Sequence, residues 1–333
     1  MRLDEAKPRD TRCPFRSARH LLPLFLAILA LALGRLVSHA GAQQIPAQEI
    51  TDEAIRGLKL KLVDRINIDR RAAGVPPVAF LDELSIPADE HCREMLAFDY
   101  TSHWNRTGLK PYMRYSLAGI TDHTSENIAS LFDTRFDPTL SQLEKETANR
   151  HDSFMSEKPP ADLHRKAVLD PRHTHVGIGM AFGRNRLKLI EVFAHRYVRI
   201  NPLPSRVNLS DKLLLSGKIL VEGFEVQGIS VFYEPLPEKR PIEILRALRS
   251  YGLPDDRQTN RPMLRKPYFY EDGSMGDVQI RGSDFTCPIS FYRNKPGVYT
   301  IAVWLKGAGG SAAATSSAFM ATNICIFVGG SGR

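Results

Sequence analysis

The chain has 333 residues, 43% of them hydrophobic and 25% charged, with a formal net charge of +8. That length suits two domains with cores of their own, and the composition excludes wholesale disorder. The positive balance is concentrated at the start. Residues 1–42 hold seven Lys/Arg against three Asp/Glu, which leaves 38 basic and 34 acidic side chains beyond them, a net of +4. Those charges alternate in sign, so the surface shows no nucleic-acid footprint.

Taken in chain order, Arg12, Arg16 and Arg19 precede an apolar run at 21–34, and Ala40-Gly41-Ala42 follows it. A basic flank, a short apolar core and an A-x-A end predict a secretory signal peptide over 1–42. Arg35 and Ser38 interrupt the run, short of the roughly 20 apolar residues a membrane span needs. The alternative is an uncleaved N-terminal anchor, with membrane contact confined to that segment. Either way the rest of the chain is expected outside the cytoplasm, secreted or periplasmic.

Residues 51–74 predict a helix, with Ile55, Leu58, Leu62 and Ile66 at helical spacing, Asp52 and Glu53 at the positive end and Gly74 before Pro76-Pro77. A second helix is predicted over 82–98, with Leu84, Ala88, Cys92 and Met95 inward; Pro87 places its regular start further on. Residues 99–130 have no period and are rich in His, Asn, Gly and Thr, a composition of site-bearing loops. Residues 138–157 predict another helix. Then 174–181 and 187–198 predict two strands joined at Gly183-Arg184-Asn185. In the second, Leu189, Glu191, Phe193, His195 and Tyr197 share one face and Ile190, Val192, Ala194 and Val198 the other. Apolar groups on both faces predict a sheet covered on both sides.

Asn201-Pro202-Leu203-Pro204 marks a boundary. Short strands are predicted at 212–222, 226–234, 284–292, 297–305 and 320–328, with Pro237, Pro241, Pro254, Pro262 and Pro267 in the middle. This spacing predicts an immunoglobulin-like β-sandwich over 205–333, with a flexible loop at 307–317. Beyond Cys13, the chain has Cys92, Cys287 and Cys325. The latter two lie in apolar strand runs and either form a bridge or, with Cys92, remain separate buried thiols. His91, His123 and His151 belong to no motif and read as surface or loop residues. His173 and His175 share one face at a strand start and read as exposed, although they could chelate.

Four segments, "VDRINIDRRAAGVPPV", "DYTSHWNRTGLKPYMRY", "TSENIAS" and "FMSEKPPADLHRKAVLDPRHTHVGIGMA", resemble in order the motifs of the CAP superfamily in its bacterial SCP-like branch, over about residues 60–198. The resemblance implies an α+β fold: an α-β-α sandwich over 51–200, ahead of the β-sandwich domain. It also implies a cleft lined by two His and two Glu. Matched residue by residue, these are His103, His164, Glu126 and Glu157. Ser125 stands where the family has Gly. Glu157 lies only seven residues before His164, closer than in many members, and Glu191 is the reserve.

Two imidazoles in one cleft could hold zinc or another divalent transition metal through His103 and His164, with the carboxylates orienting the rings. The same residues could instead form a hydrogen-bond network that pins loops to the sheet. The expected function is binding of a lipid, a glycan or other envelope component, or a partner protein. The alternative is a metal-assisted hydrolase acting on envelope material. Ser102 and Ser125 adjoin the motifs, but no G-x-S-x-G or H-E-x-x-H motif supports catalysis.

Overall fold

The computed structural model describes residues 50–248, 250–309 and 317–329. The expected signal peptide at 1–42 and most of the loop expected at 307–317 lie outside them. No helix among the described residues is long and apolar enough to cross a membrane.

Helix α1 (Asp52–Ala72) starts where Thr51 caps it, its Oγ1 accepting the Ala54 N–H at 3.2 Å. Helix α2 (Asp82–Ala97) starts at Asp82 and not near Pro87, which corrects the expected start. Pro87 lies only in its second turn and is buried, so packing outweighs one missing N–H. Residues 99–130, expected as loops, contain α3 (Pro111–Leu117) and β2 (His123–Phe132). Helices α4 (Leu140–Met155) and α5 (Leu163–Leu169) follow. Strands β3 (His175–Gly183) and β4 (Arg186–His195) form a tight hairpin that pairs Gly183 with Arg186, and Asn185 takes the left-handed turn position at φ +68°.

With β1 (Ala79–Phe80), these strands form a sheet in the order β1-β3-β4-β2, antiparallel except for the β1–β3 pair. The alternation of β4 divides two cores. Leu189 and Phe193 pack with Leu58, Leu62 and Ile66 of α1, Leu143 of α4 and Val168 of α5. Ile190, Val192 and Ala194 pack with Leu84, Ala88 and Met95 of α2 and Tyr115 of α3. The sheet is therefore covered by helices on both faces. The V-G-I-G run allows α2 to lie against β3: a Cβ on Gly179 would stand 2.5 Å from the carbonyl carbon of Ala88, and one on Gly177 2.4 Å from Cβ of Leu84.

Beyond β5 (Val198–Ile200) and β6 (Arg206–Asn208), the strands β7 (Leu213–Ile219), β8 (Phe224–Glu234), β9 (Arg257–Asn260), β10 (Gln279–Arg281), β11 (Asp284–Ile289), β12 (Gly297–Gly307), β13 (Phe319–Met320) and β14 (Ile324–Gly329) build two sheets; α6 (Ile242–Ala247) lies between β8 and β9. One sheet runs β10-β11-β7-β5. The other runs β6-β14-β12-β8-β9, with β13 paired to β12. Leu215, Phe285 and Cys287 of the first share a core with Ile229, Ile301 and Ile326 of the second.

The described residues fall into one compact unit. The outer face of the larger sheet carries Val298, Cys325 and Phe327, which pack against Tyr112 and Met113 of α3. Lys110 Nζ lies 2.7 Å from Glu234 Oε2, and Tyr112 donates its hydroxyl to Glu234 Oε1 at 2.7 Å. Of the two alternatives for Cys287 and Cys325, the structure has the separate buried thiols. Cys325 faces α3 while Cys287 faces the core between the sheets, so strand alternation separates them. All three described cysteines are free and buried, and burial pushes the Cys287 and Cys325 thiols up to about 12.

Candidate functional site

Strand β2 is an edge strand of the first sheet, and its polar sequence places functional groups along that edge. A cavity of about 490 Å³ opens there, bordered by Thr124, Ser125, Glu126 and Asn127 of β2, by His103, and by His164. His103 comes from the loop before α3 and His164 from α5. The same cavity is bordered by Ser250, Tyr251, Gly252, Leu253 and Asn323, none of which the sequence alone places near the site.

Glu126 pairs across the ladder with Val192 and therefore faces α2 and α3. It is buried, and its carboxylate is saturated with donors. His103 Nδ1 lies 3.0 Å from Oε1, Arg114 Nη2 lies 3.0 and 2.9 Å from the two oxygens, and the Tyr115 hydroxyl donates to Oε2 at 3.0 Å. Burial by itself would raise this carboxyl. The Arg114 charge and then the His103 bond overcome it and hold Glu126 down at about 2. An ionised carboxylate can only accept, so His103 donates to it through Nδ1, and in the neutral ring the lone pair lies on Nε2.

His164 is built in the same way. Its Nδ1 meets Glu157 Oε1, while Glu157 Oε2 accepts the backbone N–H of His164 at 3.0 Å and of Arg165 at 3.3 Å. The ring stacks on Phe154 with centroids 4.8 Å apart, and the His164 carbonyl accepts Asn127 Nδ2 at 3.0 Å. The short spacing to Glu157 works because α5 begins immediately before His164, so Glu157 reaches over its first turn. Among the described residues, no hydrogen bond goes to Nε2 of His103 or His164.

Glu191, the reserve for the second cleft carboxylate, lies elsewhere, and this is a correction. It pairs with Asn127, so it faces the opposite side of the sheet, fully buried, with Oε1 2.8 Å from His151 Nδ1. His151 Nε2 lies 3.0 Å from Asp69 Oδ2. Burial would lower His151, but Glu191 and then Asp69 raise it. His151 is thus a core residue, not a surface one.

His91 is also buried, its Nε2 2.8 Å from the Ser102 carbonyl, and burial lowers it to about 3. His123 is half-buried at the start of β2 and borders the cavity. His173 is 3% exposed, not the free strand-end residue expected, and His175 is half-buried. His91 and His173 pair with backbone carbonyls and His123 packs on the His195 ring, contacts that no local pattern reveals. Ser102 is buried, and its Oγ donates to the Leu248 carbonyl at 3.0 Å; that leaves it structural. Ser125 borders the cavity.

A metal is implied at this cleft by the resemblance. The donor set fits in one respect: both rings have Nδ1 tied to a carboxylate and Nε2 available, the arrangement of metal-bound histidines. It offers two protein ligands, fewer than the three of a catalytic zinc.

Residues 63–197 match the family described as CAP, the cysteine-rich secretory protein family, and that segment is a CAP domain of mixed α and β structure. No curated protein matches the chain. Among solved structures, it is similar to an extracellular protein containing an SCP domain from Bacillus anthracis str. Ames, with 20% identity, 42% of this chain and 41% of that chain covered, and a TM-score of 0.34. It is also similar to an outer surface protein from Borrelia burgdorferi, with 16% identity, 43% and 93% covered, and a TM-score of 0.33. A cysteine-rich secretory protein from Staphylococcus aureus subsp. aureus Mu50 matches with 18% identity, 42% and 39% covered, and a TM-score of 0.28. The match thus spans less than half the length of the Bacillus and Staphylococcus chains.

Proposed function

We propose that this is an exported CAP-domain protein that acts by binding an amphipathic ligand, of the kind an envelope lipid provides, in the cleft along β2. The observation that carries the reading is one cavity bordered together by His103, Glu126 and His164. Its volume of about 490 Å³ falls in the range of small-molecule sites, which combine apolar walls with a few convergent polar groups. Tyr112, Leu163, Ala167, Tyr251 and Leu253 supply the walls. A divalent metal in this reading is held by His103 and His164 through Nε2, with Glu126 and Glu157 fixing the rings, and it would supply a positive anchor for an anionic head group. The β-rich part after residue 205 is read as an immunoglobulin-like module that closes the cleft. Export is read from the basic and apolar pattern at the start of the chain.

The hydrolase alternative has less support. A carboxylate held at about 2 by the Arg114 charge and the His103 bond does not take up protons near neutrality, and Ser102 is committed to a backbone carbonyl. The test is lipid extraction and mass spectrometry of the purified protein, combined with titration of a fluorescent fatty-acid probe. Ala167→Trp and Leu253→Arg should abolish probe binding, and equal binding by both folded variants overturns the reading. Metal content measured on His103→Ala and His164→Ala tests the anchor; unchanged stoichiometry in both removes it.

A further inference from the structure

We propose that Asp170, His173 and His195 form a second divalent transition-metal site, separate from the His103/His164 pair and located where the end of the CAP sheet meets β13. One ligand atom from each residue lies within 4.8 Å of the others. They come from three places: Asp170 from the turn after α5, His173 from just before β3, and His195 from the last position of β4.

Both rings are prepared as ligands. His173 Nδ1 lies 2.8 Å from the Ala167 carbonyl and His195 Nδ1 2.8 Å from the Met320 carbonyl. A carbonyl only accepts, so each ring is protonated at Nδ1 and presents the lone pair of Nε2. The rings lie 4.8 Å apart, and their side chains are 3% and 4% exposed. His195 Nε2 is buried with no hydrogen-bond partner. In a cluster that served only as a hydrogen-bond network this atom would be paired, because an orphaned buried polar atom is costly. A metal ion satisfies it.

The charges are also suitable. Asp170 supplies the negative charge. Its Oδ1 accepts the Arg172 N–H at 2.9 Å, and its other oxygen is 3.8 Å from Arg172 Nη1. Two imidazoles and one carboxylate with an open position suit zinc or a neighbouring divalent ion. A further imidazole, His123, packs its ring 4.7 Å from that of His195, has a buried Nδ1 without a partner, and borders the cleft cavity. The site thus lies one ring away from the ligand cleft.

The full-length protein, stripped with chelator, is titrated with zinc by calorimetry and with cobalt by visible absorption, both in the wild type and in a His103→Ala/His164→Ala background. About one zinc per chain should remain in that background, with a cobalt spectrum of low coordination number. Asp170→Asn and His195→Gln should each weaken zinc by at least tenfold in folded protein, as checked by circular dichroism. Absence of zinc binding in the double variant, or unchanged affinity in Asp170→Asn, overturns the proposal. If His195→Gln does not fold, nitrogen-15 spectra of wild-type histidines decide: zinc should shift Nε2 of His173 and His195, and unmoved resonances overturn it. Failure of the cleft metal would instead appear as unchanged stoichiometry in the His103→Ala/His164→Ala protein alone.

Discussion

The side-chain amide of Asn323 brackets the backbone of Thr124, its Oδ1 accepting the Thr124 N–H and its Nδ2 donating to the Thr124 carbonyl, both at 3.3 Å. An amide side chain thus takes the place of a neighbouring strand on the free edge of β2. His123 donates its N–H to the Ala321 carbonyl at 2.9 Å, and Glu126 donates its N–H to the Tyr251 hydroxyl at 3.0 Å. Exposed strand edges invite unwanted pairing, and here the C-terminal part of the chain covers the edge while also walling the cavity. Asn323 is buried, so Asn323→Ala should cost about 1–3 kcal/mol, read as a lower midpoint in urea unfolding.

Arg114 and Glu126 form a buried ion pair with side-chain exposures of 7% and 0%. Arg114→Met leaves the carboxylate buried without its main counter-charge and should cost about 3–5 kcal/mol. Adding Glu126→Gln should recover much of that loss in the double variant. A double-mutant cycle by urea unfolding measures the coupling, and additive losses would argue against the pair.

Glu126 is depressed to about 2 from an ordinary 4.5. A depressed carboxyl contributes stability that is present above its unfolded value and lost as pH falls through its folded one. The stability difference between wild type and Glu126→Gln should therefore be constant above pH 4.5 and shrink between there and pH 2. Unfolding curves at a series of acid pH values check this.

His151 runs the other way. It is raised above its ordinary 6.5 by Glu191 and Asp69 against the burial that lowers it, and Arg65 also lies 3.4 Å from Asp69. A raised group contributes stability present below its unfolded value and lost as pH rises through its folded one. The difference between wild type and His151→Gln should be largest below pH 6.5 and diminish on the alkaline side, read from thermal midpoints across that range.

Gly179→Ala should destabilise the CAP domain by about 1–3 kcal/mol, because the added methyl meets the backbone of Ala88 and neither β3 nor α2 can yield without repacking. Differential scanning calorimetry measures the loss.

The parts of the fold legible in the sequence are those with strong periodicity. Leu58, Leu62 and Ile66 mark one face of α1, and the alternation of Leu189 to Ala194 marks a strand covered on both sides. Strand β2 escapes the pattern because the residues that line the cavity, from Thr124 to Asn127, are polar on both faces. Helix α5 escapes it because seven residues give too few turns for a period. His103, Glu126 and His164 are legible from motif order; Tyr251 and Asn323 are not, since a contact across more than a hundred residues leaves no local trace. Likewise nothing in the sequence around His173 signals that its ring stacks on Phe193, with centroids 5.0 Å apart.

Because Tyr251, Leu253 and Asn323 wall the cavity from the far end of the chain, a fragment trimmed to the CAP boundaries would be a poor substitute for the whole molecule. Its recess would stand open to solvent on one side, and β2 would present bare amides. Ligand screens, affinity measurements or antibody work on such a truncation would sample a different and stickier surface.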